Sequence, residues 1–216
     1  MTQRVITYID GFNLYYGLKE KGWRKYYWLN MSELAKNLLG DDQELVAVKY
    51  FTARITAGYA GLPAYYRKFM EEKRKRQLVY LEALSTLDNL TIFEGHFLDK
   101  ILKCKKCGYE WSSPEEKMTD VNIATELLSD AFDNCFDIAH LISGDSDLAP
   151  PVQNLLHRYP GKSLIVAFPP YRYSERLKNT ATDYFYINET AFRQSVFPKE
   201  IKKPDGYILK RPEEWK

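Results

Sequence analysis

Leu141-Ile142-Ser143-Gly144-Asp145-Ser146-Asp147 is the stretch on which the reading of this chain turns. The mostly apolar residues Ile138 to Ile142 predict a buried strand. Gly144 turns the chain, two aspartates follow two residues apart, and Leu148 opens an amphipathic run. The acids therefore stand where a strand gives way to a helix. In open α/β sheets that carboxyl edge is where ligands bind.

The first apolar run, Val5 to Ile9, ends the same way, with Asp10-Gly11-Phe12-Asn13 leading into helix-like sequence. A third acid, Asp120, stands at the start of another helix. Three distant segments each deliver a carboxylate to one expected rim. Like charges raise each other's pKa unless a cation compensates them, so the expectation is a divalent-metal site.

Composition bounds the class. At 216 residues, 45 % hydrophobic and 28 % charged, the chain fits one α/β domain with a sizeable core. A net charge of +2 leaves any nucleic-acid affinity to local patches. Three cysteines make no disulfide framework and favour a reducing compartment. No signal-peptide pattern or membrane-spanning run is present, so a soluble, cytoplasmic protein without a membrane partner is the default expectation.

Strands and helices alternate along the chain, which predicts a parallel, doubly wound, three-layer α/β/α sheet of Rossmann-like kind. Strands are expected near 5–9, 45–55, 90–98, 138–142, 163–168 and 184–187. An order of about 3-2-1-4-5 would make the first and fourth neighbours and bring Asp10 beside Asp145. Gly58 to Pro63 reads as a turn. A long helix follows from Ala64 to Leu87, with Phe69, Leu78, Leu81 and Leu84 on a buried stripe. Six basic residues between Arg67 and Arg76, against Glu71 and Glu72, leave a local +4. A solvated face is the favoured reading there, and a phosphate-tracking patch the sharper one. Thr119 is expected to cap a helix over 120–133, with Val121 among its inward residues. Residues 99–117 look like a small insertion carrying Cys104-x-x-Cys107. Residues 1–197 then form one domain, and 198–216 a charged, proline-containing, partly ordered tail.

Tyr8-Ile9-Asp10-Gly11-Phe12-Asn13-Leu14, Lys117-Met118-Thr119-Asp120-Val121 and Ser143-Gly144-Asp145-Ser146-Asp147-Leu148 resemble, in that order, the three signatures of the NYN-domain family in its LabA-like branch. That family belongs to the PIN-like nucleases, and the similar region runs from about Arg4 to about Glu189. The resemblance implies a PIN-like fold, Mg²⁺ or Mn²⁺ on an acidic cluster, and cleavage of RNA as an (endo)ribonuclease, with the endo or exo mode left open. By motif position the metal and catalytic roles fall to Asp10, Asp120, Asp145 and Asp147, with Asn13 as polar partner.

The residues support that chemistry on their own terms, because hard divalent cations take carboxylate oxygens and activate water at a phosphodiester. Around the rim, Lys117, Arg172 and Ser174 are candidate substrate contacts, set against ordinary surface and capping roles. Trp111 is another candidate, within a basic and aromatic insertion. Cys104 and Cys107, with His96 the nearest third donor, resemble half a zinc site, and structural zinc needs four ligands. An unligated relic and a zinc shared between two subunits of a homodimer both stay open. Against a ribonuclease stands a non-catalytic RNA- or protein-binding regulator of the same fold. A haloacid-dehalogenase-type phosphatase is disfavoured, because Phe12 rather than an acid stands two residues after Asp10.

Overall fold

The structure is a computed structural model and describes residues 2–55 and 63–216. The chain runs β1 (Gln3–Asp10), α1 (Gly11–Glu20), α2 (Met31–Lys36), β2 (Gln43–Ala53), α3 (Ala64–Leu84), β3 (Leu90–Lys103), β4 (Glu110–Lys117) and α4 (Thr119–Phe132). It continues through β5 (Ile138–Ile142), α5 (Ala149–Arg158), β6 (Ser163–Phe168), α6 (Glu175–Thr180), β7 (Asp183–Tyr186), α7 (Glu189–Gln194), β8 (Glu200–Lys202) and β9 (Ile208–Lys210). One seven-stranded sheet has the order β4-β3-β2-β1-β5-β6-β7. Only β4, against β3, is antiparallel in it. The fold is thus mixed α/β around a parallel-dominated central sheet.

Side chains alternate between the faces of a strand, and here both faces are covered. Ile9, Val48, Tyr50 and Ile142 belong to one apolar cluster, closed by Leu14 and Leu18 of α1, Leu34 of α2 and Leu81 and Leu84 of α3. Ile6, Tyr8, Phe51 and Leu141 belong to the other, closed by Ile123 and Leu127 of α4, Val152 of α5 and Leu177 of α6. β1 and β5 are register partners, Ile9 opposite Ile142, so the chain leaves both strands side by side. Among the described residues no helix is long and apolar enough to cross a membrane.

Several expectations need correction. The break in the α/β alternation over 99–117 is strand rather than loop: β3 continues to Lys103 and pairs with β4, which makes a hairpin arm. Gly95 pairs with Ala53 at the end of β2, so the rest of β3 stands beyond the sheet's carboxyl edge. The segment 198–216 is not a loose tail. It forms the β8–β9 hairpin, buries Leu209 and packs Trp215 against Trp28 and Tyr80. Phe69 and Val121 lie in the open, 53 % and 64 % exposed, because none of the described residues covers their turns of α3 and α4. Thr119 is the first residue of α4, and the cap position belongs to Met118. The expected turn over 58–62 lies outside the described residues.

Candidate active site

Asp10 ends β1 and caps α1, its Oδ1 accepting from the Asn13 backbone N–H at 3.0 Å. Its Oδ2 accepts from Ser143 Oγ at 2.9 Å, one residue past the end of β5. The same Ser143 Oγ accepts from the Asp145 backbone N–H at 3.1 Å. Asn13 returns the tie, its Oδ1 accepting from the Gly144 backbone N–H at 3.0 Å. Two strand ends are thereby clamped by side chains of each other's motifs. Gly144 must be glycine: a Cβ there would stand 2.7 Å from the Arg172 carbonyl carbon and 2.8 Å from the Tyr173 nitrogen. Asp145 Oδ1 in turn accepts from the Asp147 backbone N–H at 3.0 Å, which opens a 3-10 turn over Ser146–Leu148.

Asp120 enters from α4. Met118 before it holds a left-handed backbone, φ 81°, a conformation that costs energy outside glycine and is found at functional turns. Glu116 Oε1 accepts from the Thr119 backbone N–H at 3.0 Å and also from the Thr119 hydroxyl. The Asp120 carboxyl is pushed up to about 7 by its burial first, then by the charges of Asp10, Asp145, Glu116 and Asp147. Burial also raises Asp10, only 2 % exposed, against the hydrogen bonds from Asn13 and Ser143 that favour its charged form. The carboxylates of three distant segments therefore act on one another at one rim. Ser143 and Glu116 are not among the residues that the sequence singles out. Glu116 stands three residues before the helix start, and that spacing is the available signal.

The other candidates fall in different places. Asp147 is exposed on the outer lip. Lys117, at the foot of the hairpin arm, pairs with Glu115 at 2.8 Å. Arg172 lies against Gly144 but is ion-paired to Glu20. Ser174 is not a free substrate contact: it is buried, and its Oγ accepts from the Leu177 backbone N–H at 3.2 Å as the cap of α6. Trp111 is opposite Leu102 in the arm and stacks on Tyr109. Six extended residues separate it from Lys117, about 20 Å, so it does not reach the acids. His96 is opposite Lys117, while Cys104 lies past the last rung of the arm. About 26 Å of strand separates them, so His96 cannot join Cys104 and Cys107 on one ion.

For a divalent cation the donor set is right in kind: hard oxygens carrying surplus negative charge on a half-exposed rim. Among the described residues, however, no three His, Cys, Asp or Glu side chains stand in a ready-made metal cluster. The hydrogen bonds above show why, since they draw Asp10 and Asp145 into capping positions. Mg²⁺ tolerates this, because it keeps several waters and is commonly held by one or two carboxylates.

A crystal structure of a protein of unknown function from Vibrio parahaemolyticus RIMD 2210633 is similar at a TM-score of 0.51 and 18 % identity, over 91 % of this chain and 97 % of that one, a likeness of fold. The 6-hydroxy-3-succinoylpyridine 3-monooxygenase HspA of Pseudomonas putida (strain DSM 28022 / S16) is 27 % identical over 181 residues, 69 % of this chain. The chain spans about half, 54 %, of that relative's length. The NYN domain model matches residues 4–189, from the first strand through the start of α7, and so takes in all three acidic segments. The chain belongs to the NYN-domain family, whose members are generally nucleases.

Proposed function

We propose that this chain is a metal-dependent ribonuclease that hydrolyses RNA phosphodiester bonds at the rim formed by Asp10, Asp120 and Asp145. The observation that carries the reading is the Ser143 bridge between Asp10 and the backbone of Asp145, beside an Asp120 carboxyl that burial and the charges of Asp10 and Asp145 push up to about 7. Asp10 and Asp145, with Asp147 through water, would hold Mg²⁺ or Mn²⁺, which supplies Lewis-acid stabilisation and a more acidic water. Asp120 takes the proton of the attacking water, as a general base poised near the working pH. The water oxygen bonds to phosphorus, the ester P–O bond breaks, and the leaving oxygen acquires a proton from solvent. Asn13 keeps the Gly144 turn, and hence Asp145, in place. The oxygenase chemistry named for the Pseudomonas relative is not carried over, since about half of that protein has no counterpart here.

The test is cleavage of labelled RNA by metal-stripped protein, with Mg²⁺ or Mn²⁺ restored and with excess EDTA, beside Asp145→Asn. Cleavage that returns with metal and drops at least a hundredfold in the variant supports the reading. Cleavage at full rate in chelator overturns it. RNA binding without any cleavage assigns the chain to the non-catalytic regulators instead.

A further inference from the structure

The basic run of α3 has a place in the fold that its sequence does not show. Gln77 is pinned to the end of β2: its Oε1 accepts from the Ile55 backbone N–H at 2.7 Å, and its Nε2 donates to the Ala53 carbonyl at 2.9 Å. α3 begins on the carboxyl side of the sheet, so residues 64–76, about 20 Å of helix, overhang the edge where the acids lie. From this overhang Lys73 reaches back over the Tyr15 ring of α1, 5.9 Å away. Burial lowers the pKa of Lys73, and so do the charges acting on it, Lys19 and Arg76, both positive. Cations are thus gathered here against their mutual repulsion, an arrangement that an anion would relieve.

The exposed face of α1 continues this surface from the active rim. Asn13, Tyr16 and Lys19 share one stripe at intervals of three residues. Tyr16 is 41 % exposed, with Lys19 Nζ 5.6 Å and the Arg172 guanidinium 6.0 Å from its ring. Beyond Arg172 lies a shallow hollow of about 270 Å³, walled by Trp23, Tyr171 and Tyr173. Lys21 stands over its edge, 5.1 Å from the Tyr171 ring and 5.6 Å from Trp23. Among the described residues Lys19, Lys21 and Lys73 make no ion pair, whereas Arg172 and Arg76 are held by Glu20 and Glu214.

We propose that this face, from Asn13 along Tyr16 and Lys19 to the aromatic hollow, binds single-stranded RNA, with the lysines on successive phosphates and the rings on unpaired bases. Alternating cations and exposed rings fit a single strand, whose bases are free to stack; a duplex keeps its bases covered. The length of α1, about 15 Å, suits a few nucleotides leading away from the acids. The inference rests on the nuclease reading and names the form of RNA that it takes.

The experiment measures binding of a fluorescein-labelled oligouridine, and of the same length as duplex, by anisotropy across a salt titration. The full chain carries Asp145→Asn throughout, so that the probe survives. Lys19→Ala with Lys73→Ala should weaken single-strand binding about tenfold or more at low salt. It should also flatten the slope of log K against log salt by about 1.4, near 0.7 for each phosphate that no longer meets a lysine. Lys19→Arg with Lys73→Arg should restore both, which separates missing charge from failed folding. Tyr16→Ala should weaken binding by about tenfold while leaving the slope unchanged, because stacking releases no counterions. Unaltered affinity and slope in the double alanine variant overturn the proposal, as does equal affinity for the duplex. If the unmutated chain cleaves RNA and the alanine variants bind normally, only the strand path is wrong. If it binds as described and never cleaves, the path stands and the nuclease reading is wrong.

Discussion

Ser143 Oγ donates to Asp10 Oδ2 at 2.9 Å and accepts from the Asp145 backbone N–H at 3.1 Å, so one hydroxyl sets the positions of two candidate ligands. Ser143 is fully buried and spends its hydroxyl on Asp10 and the Asp145 backbone, which makes it a positioning residue. Ser143→Ala leaves one Asp10 oxygen without its donor and frees the Asp145 turn. Partners that orient metal ligands typically contribute ten- to a hundredfold in affinity or rate. The expected outcome is a loss of that order in RNA cleavage, partly recovered at higher Mn²⁺, with Ser143→Thr closer to the parent. A rate unchanged in Ser143→Ala at limiting metal would show that the bridge does not position the site.

The crowding of carboxylates has a signature in stability. In the metal-free fold the Asp120 carboxyl sits at about 7, against an ordinary value of 3.8. Between those pH values the native state binds a proton that the unfolded chain has already released, so stability falls as pH rises. The destabilisation is absent below about pH 4 and complete above about pH 7. Asp120→Asn should therefore melt higher than the parent at pH 8 in EDTA and much the same at pH 4. The side chain is partly open to solvent, which trims the gain to a few degrees. Added Mg²⁺ should narrow the gap by stabilising the parent more than the variant, because only the parent has the Asp120 charge for the ion to compensate, and thermal scans with and without the ion would decide it.

Gly144 offers a geometric test of the clamp. A methyl group there meets backbone on the opposite loop, at Arg172 and Tyr173, and neither atom can swing aside like a side-chain tip. Gly144→Ala must part β5 from the loop after β6 or move Asp145. A loss of about 1–3 kcal/mol in stability, typical of overpacking, should accompany loss of cleavage. Urea denaturation and activity together check this, and a variant of normal stability and rate would show that the loops yield freely.

The parts of the site legible in the sequence are those written in neighbouring residues. Asp10 and Asp145 each follow an apolar strand and precede a helix, so the end of the strand locates the acid. Ser143 and Glu116 are not legible there, because their roles rest on hydrogen bonds whose partners only the folded chain brings near. The arm is obscured by want of burial: Ile101 and Tyr109 are mostly exposed, and a solvated hairpin leaves little alternation to detect. The C-terminal segment misleads in the opposite sense. Its lysines and prolines look like a tail, yet Leu209 and Trp215 supply the few apolar contacts that hold it to the body. Periodicity likewise places Phe69 and Val121 on plausible faces without saying whether anything covers them.

His140 lies in the middle of β5, register partner of Thr7, and its ring meets Phe185 edge-on. Both ring nitrogens and the Thr7 hydroxyl are buried, and among the described residues none has a hydrogen-bond partner. Burial alone lowers the imidazole to about 4, from an ordinary 6.5. The unfolded chain then takes up a proton below pH 6.5 that the native core refuses, so the contribution runs opposite to that of Asp120. Stability is intact above 6.5 and falls as pH drops toward 4. Between pH 6.5 and 5 the loss is about 1.6 kcal/mol, since each pKa unit is worth about 1.4 and the unfolded imidazole is already half protonated at pH 6.5. Asp120 masks this in the parent by gaining stability over the same interval. Asp120→Asn should therefore expose a fall in melting temperature of roughly 3–6 °C between pH 6.5 and 5. Adding His140→Leu, which removes the titration and keeps the site apolar, should abolish most of that fall. If the double variant loses as much stability on acidification as Asp120→Asn alone, a different group is responsible for the acid sensitivity.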